Sequence, residues 1–246
     1  PDYSMFNIFN LGSKKQIELY AQGIVKIEDI PSTYAMTAIQ KQKVQNWKDQ
    51  ATFIDEEHIK DFLDTLSYPI YHLDFETFQQ AIPEWKGISP YQQIPFQYSL
   101  HIEHSDGTIE HIEFLGEDGV DPRYELAKRL VEDIPTDVTV LAYNLSFVKG
   151  VNAKLAESFT EFSSHLLAIN ENIKDLMFPF QKNYYVTPQM QGSYSIKYVL
   201  PSLVPEMAEA YKNLNGIQNG SDAMNAFPKL SSMSREEKEK TRIALL

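Results

Sequence analysis

Two carboxylates stand one residue apart near the end of an apolar run, in residues 70–78. Side chains at i and i+2 of a β-strand share a face, so Asp74 and Glu76 can converge on one point. Two hard oxygen ligands of this kind suit Mg²⁺ or Mn²⁺. The alternative is a strand end with two solvated acids, because 34 acidic residues make such a pair common by chance. The neighbouring sequence has to decide between the two.

The elements that would position this pair follow from Tyr68 onward. Four runs have the composition of strands, at residues 69–76, 96–102, 109–115 and 138–143. The second and third are joined by Ser-Asp-Gly at 105–107, which predicts a hairpin. Helices are predicted over 124–134 and 146–159, and a short fifth strand over 173–180. This order predicts an α/β fold with a mixed five-stranded sheet flanked by helices.

The two ends of the chain differ from this middle part. Residues 1–66 have a helical pattern and predict an N-terminal helical connector, which leaves residues 67–246 as the α/β domain. Residues 234–246 predict a capped helix whose apolar face is only developing at Leu246. We therefore expect the domain to be truncated and the native chain to continue.

Composition limits the class of protein. The chain has 246 residues, 43% of them hydrophobic, and contains no apolar run of the roughly 18 residues that span a bilayer. We expect a cytoplasmic protein without a membrane partner. The absence of cysteine excludes disulfides, thiolate metal sites and cysteine nucleophiles. A net charge of −12 argues against a protein that coats nucleic acid non-specifically, but not against a nuclease whose acids hold metal ions.

A second chemical signal is the segment 143–147 (Tyr-Asn-Leu-Ser-Phe), where a strand passes into a helix. Ligands gather at such edges of α/β sheets. Together with Asp-Phe-Glu-Thr at 74–77, this segment resembles the first two motifs of the DnaQ-like (DEDD) exonuclease superfamily, which has an RNase H-like fold. In that superfamily the first strand supplies Asp and Glu, and two later helices supply a third and a fourth acid.

The chain also resembles an uncharacterised bacterial family in which such a domain follows a RecB/PD-(D/E)XK-type, CRISPR-associated-like nuclease. The matching segments include residues 73–78, 94–99, 143–147, 173–177 and 192–200. The resemblance implies an upstream nuclease domain in the same chain, with residues 1–66 as the connector to it.

The resemblance implies a metal-dependent 3′–5′ exonuclease that hydrolyses single-stranded DNA or RNA by a two-metal mechanism. Asp74 would bind both metal ions, and Glu76 would bind one and orient the attacking water. Two departures stand against this. Val148 occupies the position of the third acid, and the fourth acid would lie beyond Leu246. The alternative is therefore a catalytically degenerate RNase H-like module that binds nucleic acid or a protein partner.

Other residues are candidates for the same site. Asp175 could replace the missing third acid as a metal ligand or hold a neighbouring backbone segment. Asn144 could bind substrate or cap a helix. Ser193 and Lys197 resemble a phosphate-holding loop, and Tyr185 could stack on a base. Each of the last three has a structural alternative in a turn or in packing. The histidines have no metal-binding spacing, and we expect His72 to point away from the acids.

Overall fold

The secondary structure is described for residues 3–8, 10–209, 217 and 220–246 in a computed structural model. Its helices are α1 Ser13–Ala21, α2 Ala38–Asp49, α3 Glu56–Leu63, α4 Arg123–Asp133, α5 Leu145–Ser158, α6 Ser163–Asn172, α7 Phe178–Gln181, α8 Ile196–Leu203, α9 Gly220–Ala226 and α10 Arg235–Leu245. Its strands are β1 Phe53–Ile54, β2 Ile70–Phe78, β3 Ile94–Glu103, β4 Ile109–Leu115, β5 Thr139–Ala142, β6 Ile173–Asp175 and β7 Tyr185–Val186. Short 3₁₀ helices cover Met5–Asn7, Ile27–Asp29, Pro188–Met190, Pro205–Glu209 and Phe227–Ser232.

Five strands form a mixed sheet in the order β4-β3-β2-β5-β6. The β3–β4 connection turns at Gly107, whose φ of +84° suits a glycine. Strand β3 is antiparallel to both of its neighbours, β2 and β4. Strand β5 pairs in parallel with β2, and β6 pairs in parallel with β5. A helical segment precedes each of these two strands, as parallel pairing requires. The predicted α/β architecture, a mixed five-stranded sheet with flanking helices, is confirmed, and β2 lies at its centre.

The main core lies on one face of this sheet. Alternate residues of β2, namely Tyr71, Leu73 and Phe75, pack in one cluster with buried residues of the neighbouring strands and of α4, α5 and α6. A second cluster begins past an irregularity in the β2–β3 register between Glu76 and Thr77. It joins the end of β2 to α9, α10 and the 3₁₀ helix between them, and its buried members are Phe78, Ile94, Phe96, Ala223, Phe227, Leu230 and Leu245.

The chain divides into two units, and the division differs from the predicted one. Residues 66–176 and 209–246 form the unit with the five-stranded sheet, whereas 1–65 and 177–208 form the other. The break after residue 65 lies beside the expected boundary at 66, but 177–208 group with the N-terminal segment. The two segments are joined by pairing between residues far apart in sequence: β1 and β7 form a two-stranded antiparallel sheet, with Phe53 opposite Val186 and Ile54 opposite Tyr185.

The N-terminal segment of this other unit is helical, as expected, and has its own core. Its buried residues come from the chain start, from α1 and α2, and from the Ile27–Asp29 turn: Tyr3, Met5, Ile8, Leu11, Leu19, Ile27, Ile30 and Val44. Gly192 lies against this core, since a Cβ built there would be 2.6 Å from the Tyr3 hydroxyl and 2.9 Å from the Asn7 carbonyl. None of the helices in the described part of the chain is long and apolar enough to cross a membrane.

Two details of the predicted elements can be compared with the structure. The capped C-terminal helix is confirmed, because Ser234 and Glu237 form a reciprocal capping box at the start of α10. The predicted strand over 173–180 is only partly right. Pairing ends at Asp175, and Pro179 lies in the first turn of α7, a position where proline is compatible with a helix.

Candidate functional site

The acid pair lies on the face of the central strand that is opposite the main core. Asp74 is exposed and Glu76 is partly buried, whereas the alternating residues Leu73 and Phe75 are buried in the core. Pairing between β2 and β5 ends at His72 opposite Leu141, so both acids extend past the end of β5. The local alternation of β2 therefore brings the two carboxylates to one face, as the sequence pattern predicts, on the part of β2 that continues past its pairing with β5.

The electrostatic environment of the pair disfavours two negative charges. Protein atoms around the Asp74 carboxylate raise its pKa by desolvation, although the side chain reaches solvent and accepts a 3.0 Å hydrogen bond from the Phe75 amide. Burial, followed by the charge of Asp74, raises the pKa of Glu76 to about 7. A carboxylate whose pKa is raised in this way can act as a proton acceptor near neutral pH, or its charge can be stabilised by a bound cation.

The start of α9 limits the space beside Glu76. A Cβ built on Gly220 would lie 3.1 Å from Oε2 and 3.3 Å from Oε1 of Glu76, so glycine allows a close approach that larger residues would disturb. The Glu76 carboxylate makes no hydrogen bond within the part of the chain that the structure describes. Its oxygens are consequently available to a ligand from the remaining directions.

Asp175 holds a neighbouring backbone segment, which is the structural alternative of the two considered. One carboxylate oxygen accepts a 3.0 Å hydrogen bond from the Asn144 amide, and the other accepts a 3.1 Å bond from the Leu145 amide. These amides lie at the start of α5, where N–H groups have no partner within the helix. Across the described ranges no group of three or more His, Asp or Glu side chains is placed to hold a metal ion. The structure thus does not gather Asp175 with Asp74 and Glu76 as a third metal ligand.

Val148 is fully buried in the main core. It is in the first turn of α5 and packs in the same cluster as Leu73 and Phe75, whose side chains alternate with those of the acids along β2. The position at which the resemblance expects a third acid is therefore an apolar packing position in this chain.

Asn144 is placed at the N-cap of α5 but does not cap it with its side chain. Its backbone is left-handed, with φ +75° and ψ +68°, a conformation that asparagine tolerates better than most residues. Asp175 supplies the cap instead, and the Asn144 side chain is exposed. A substrate-binding role for Asn144 stays a prediction.

Three of the predicted substrate-binding residues belong to the other unit. Tyr185 is in β7 and its ring lies 6.1 Å from that of Phe180. Ser193 accepts a 3.1 Å hydrogen bond from the Ser195 amide, and Lys197 is exposed in the first turn of α8. The acids lie in the unit with the five-stranded sheet, so these three residues and the acid pair belong to separate units.

One expectation about the histidines is wrong. His72 shares the exposed face of β2 with Asp74, because residues 72, 74 and 76 alternate with the buried residues 71, 73 and 75. Its Nε2 lies 2.9 Å from a carboxylate oxygen of Glu103 on β3. The i, i+2 rule that paired the two acids would have placed His72 beside them.

Comparison with known proteins gives the family but not the activity. Residues 71–195, just over half of the chain, match the family described as "Domain of unknown function (DUF2779)". The chain belongs to this family. The match includes Asp74, Glu76, Asn144, Asp175, Tyr185 and Ser193, and ends before Lys197.

A curated relative extends the comparison to a longer protein. "Uncharacterized protein UU173" from Ureaplasma parvum serovar 3 is 27% identical to this chain over 156 residues. The alignment covers 58% of this chain and 22% of the relative, so the chain corresponds to about a fifth of that protein. No solved structure matches the chain.

Proposed function

We propose that the five-stranded unit is an RNase H-like domain of the DnaQ-like type and that it hydrolyses single-stranded DNA or RNA from the 3′ end. The observation that carries the proposal is the position of Asp74 and Glu76, on one face of the central strand and past the end of its pairing with β5. This strand is also the first of the sheet in chain order, which is where the DnaQ-like superfamily has its Asp and Glu.

Mg²⁺ or Mn²⁺ is the cofactor that fits these side chains. Two carboxylate oxygens suit hard divalent ions, and the pKa of Glu76, raised first by burial and then by the charge of Asp74, means that a bound cation would relieve the cost of ionising this pair. A bound divalent ion would lower the pKa of water and stabilise charge on a phosphate. Asp74 and Glu76 would hold the ion, and Glu76 would also orient the attacking water.

A second function is favoured by one specific observation. Val148 is buried in the core and Asp175 holds the start of α5, so neither side chain adds to the acid pair. A two-acid site of this kind supports a degenerate RNase H-like module that binds nucleic acid or a protein partner beside another nuclease domain.

Cleavage by the full-length protein separates the two functions. A single-stranded oligonucleotide labelled at its 5′ end is incubated with the protein while Mn²⁺ is titrated. The exonuclease hypothesis predicts a ladder of products shortened from the 3′ end, which is lost in Asp74→Asn. The matched control is Glu113→Gln, which removes an exposed carboxylate from β4 of the same sheet and leaves the ladder unchanged.

Two results would reject the exonuclease hypothesis. One is the absence of Mn²⁺-dependent cleavage by the intact protein, and the other is cleavage that persists unchanged in Asp74→Asn. Binding of the same oligonucleotide without cleavage would support the second function.

A further inference from the structure

Three histidines are aligned across three adjacent strands of the five-stranded sheet. His72 on β2 is directly opposite His101 on β3, and His101 is directly opposite His111 on β4. Their neighbours Leu73, Leu100 and Ile112 pack in or against the main core, so the three imidazoles lie on the other, solvent-facing side. His101 and His111 are exposed and His72 is partly exposed.

The rings of His101 and His111 are close enough to share a ligand. Their centroids are 4.2 Å apart and their planes differ by 13°. A metal ion with two imidazole nitrogens at 2.0–2.1 Å in tetrahedral geometry holds those nitrogens about 3.4 Å apart. The nitrogen lone pairs lie in the ring planes, so the stacked rings must also rotate about their side-chain torsions before both lone pairs point at one ion. Directly opposite residues of an antiparallel pair are suited to such a chelate, because their Cβ atoms are neighbours.

Surrounding side chains leave nitrogens of these rings available. His111 Nε2 lies 3.2 Å from the Ser99 hydroxyl, which leaves Nδ1 for a ligand. The His101 imidazole makes no hydrogen bond among the described residues. A hydroxyl or carboxylate on the second ring nitrogen is the usual way in which proteins orient a metal-binding imidazole.

The charge of this face favours a cation. Glu103, next to His72, and Glu113, opposite Ser99, are carboxylates of the same face. An anion such as phosphate would be repelled by these carboxylates.

We propose that His101 and His111 form a binding site for a divalent transition-metal ion that prefers nitrogen ligands, such as Zn²⁺, Ni²⁺ or Cu²⁺. Two imidazoles supply the protein ligands and water completes the coordination, since no group of three potential ligands is arranged around a common point in the described residues. This site is separate from the carboxylate pair, which has oxygen ligands only, and does not depend on the proposed nuclease activity.

Zinc titration of the full-length protein by isothermal calorimetry tests the site. Because even outer-shell changes reduce metal affinity 10–100-fold, loss of a direct ligand in His101→Ala or His111→Ala is expected to weaken binding by about tenfold or more. The matched control is His104→Ala, a histidine at the end of the same hairpin that pairs with Glu110 outside the row. Asp74→Asn distinguishes the two sites: it is expected to abolish Mn²⁺-dependent cleavage and to leave zinc affinity unchanged.

An NMR titration identifies the rings directly and needs no variant to fold. Zn²⁺ is expected to shift the imidazole resonances of His101 and His111 while those of His58 and His165 stay in place. The site is rejected if the protein binds no zinc, if His101→Ala and His111→Ala bind zinc as tightly as the wild type, or if the shifts occur only at other histidines.

Discussion

Glu76→Gln is the substitution that examines the acid pair most directly. Burial and the charge of Asp74 raise the pKa of Glu76 from 4.5 to about 7 in the folded protein. The unfolded chain releases this proton near pH 4.5, whereas the folded chain keeps it until about pH 7. The folded state therefore binds more protons in this window, and its stability falls as the pH rises from 4.5 to about 7.

The magnitude follows from the size of the shift. The difference between 4.5 and about 7 is 2.5 pKa units, which is about 3 kcal/mol at 1.36 kcal/mol per unit. Because Glu76 is partly exposed, solvent screening reduces this figure to about 2 kcal/mol. Glutamine has the same shape without the charge. We therefore expect Glu76→Gln to be more stable than the wild type by about 2 kcal/mol at pH 8 and equally stable near pH 4.

Urea denaturation followed by circular dichroism between pH 4 and pH 8, without divalent ions, measures this effect. Thermal unfolding at pH 8 is expected to show an increase of about 4–8 °C in Tm for the variant. Glu113→Gln serves as the control for the loss of one exposed carboxylate from the same sheet. If Glu76→Gln has the same dependence of stability on pH as the wild type, Glu76 is not desolvated beside Asp74, and the electrostatic argument for a cation site fails.

Three further substitutions have defined expectations, each measured by equilibrium denaturation. Asp175→Ala leaves two amides at the start of α5 without their acceptor and is expected to cost about 1–2 kcal/mol, with a smaller loss for Asp175→Asn; equal stability would contradict the capping role. Gly192→Ala places a methyl group 2.6 Å from the Tyr3 hydroxyl at a φ of +73° and is expected to cost about 1–3 kcal/mol; a loss below about 1 kcal/mol would show that the N-terminal core can move aside. Val148→Glu buries a carboxylate in the main core and is expected to cost about 3 kcal/mol or more without increasing Mn²⁺ affinity; a gain in affinity measured by calorimetry would refute its assignment to the core.

Period-two alternation made most of the five-stranded sheet predictable. The first four predicted strands, the Ser-Asp-Gly hairpin and the helices near 124–134 and 146–159 all correspond to observed elements within a few residues. The same alternation placed Asp74 and Glu76 on one face. These features depend on residues that are close in sequence, so a local pattern contains the information needed to find them.

Pairings between distant segments could not be predicted in the same way. The two-residue strands β1 and β7 are too short to show alternation, yet their pairing groups 177–208 with the N-terminal segment. Asp175 likewise contacts amides 30 and 31 residues earlier in the chain. An acid in a short strand has the same sequence signature whether it binds a metal ion or caps a distant helix.

Val148 shows why a missing ligand cannot be judged one residue at a time. On α5 the buried residues Val148, Val151, Asn152 and Leu155 have the i, i+3, i+4, i+7 spacing of a helix face that packs on a core. The valine is thus part of a continuous buried stripe and not an isolated replacement on an exposed surface. A carboxylate at position 148 would have to turn out of the buried face of α5 or be buried without a partner. Asp175 already fixes the start of α5 by accepting hydrogen bonds from the Asn144 and Leu145 amides. Restoring a third acid at this position would therefore require a change in how α5 packs, so any further protein ligand for an ion held by Asp74 and Glu76 has to come from another position in the chain.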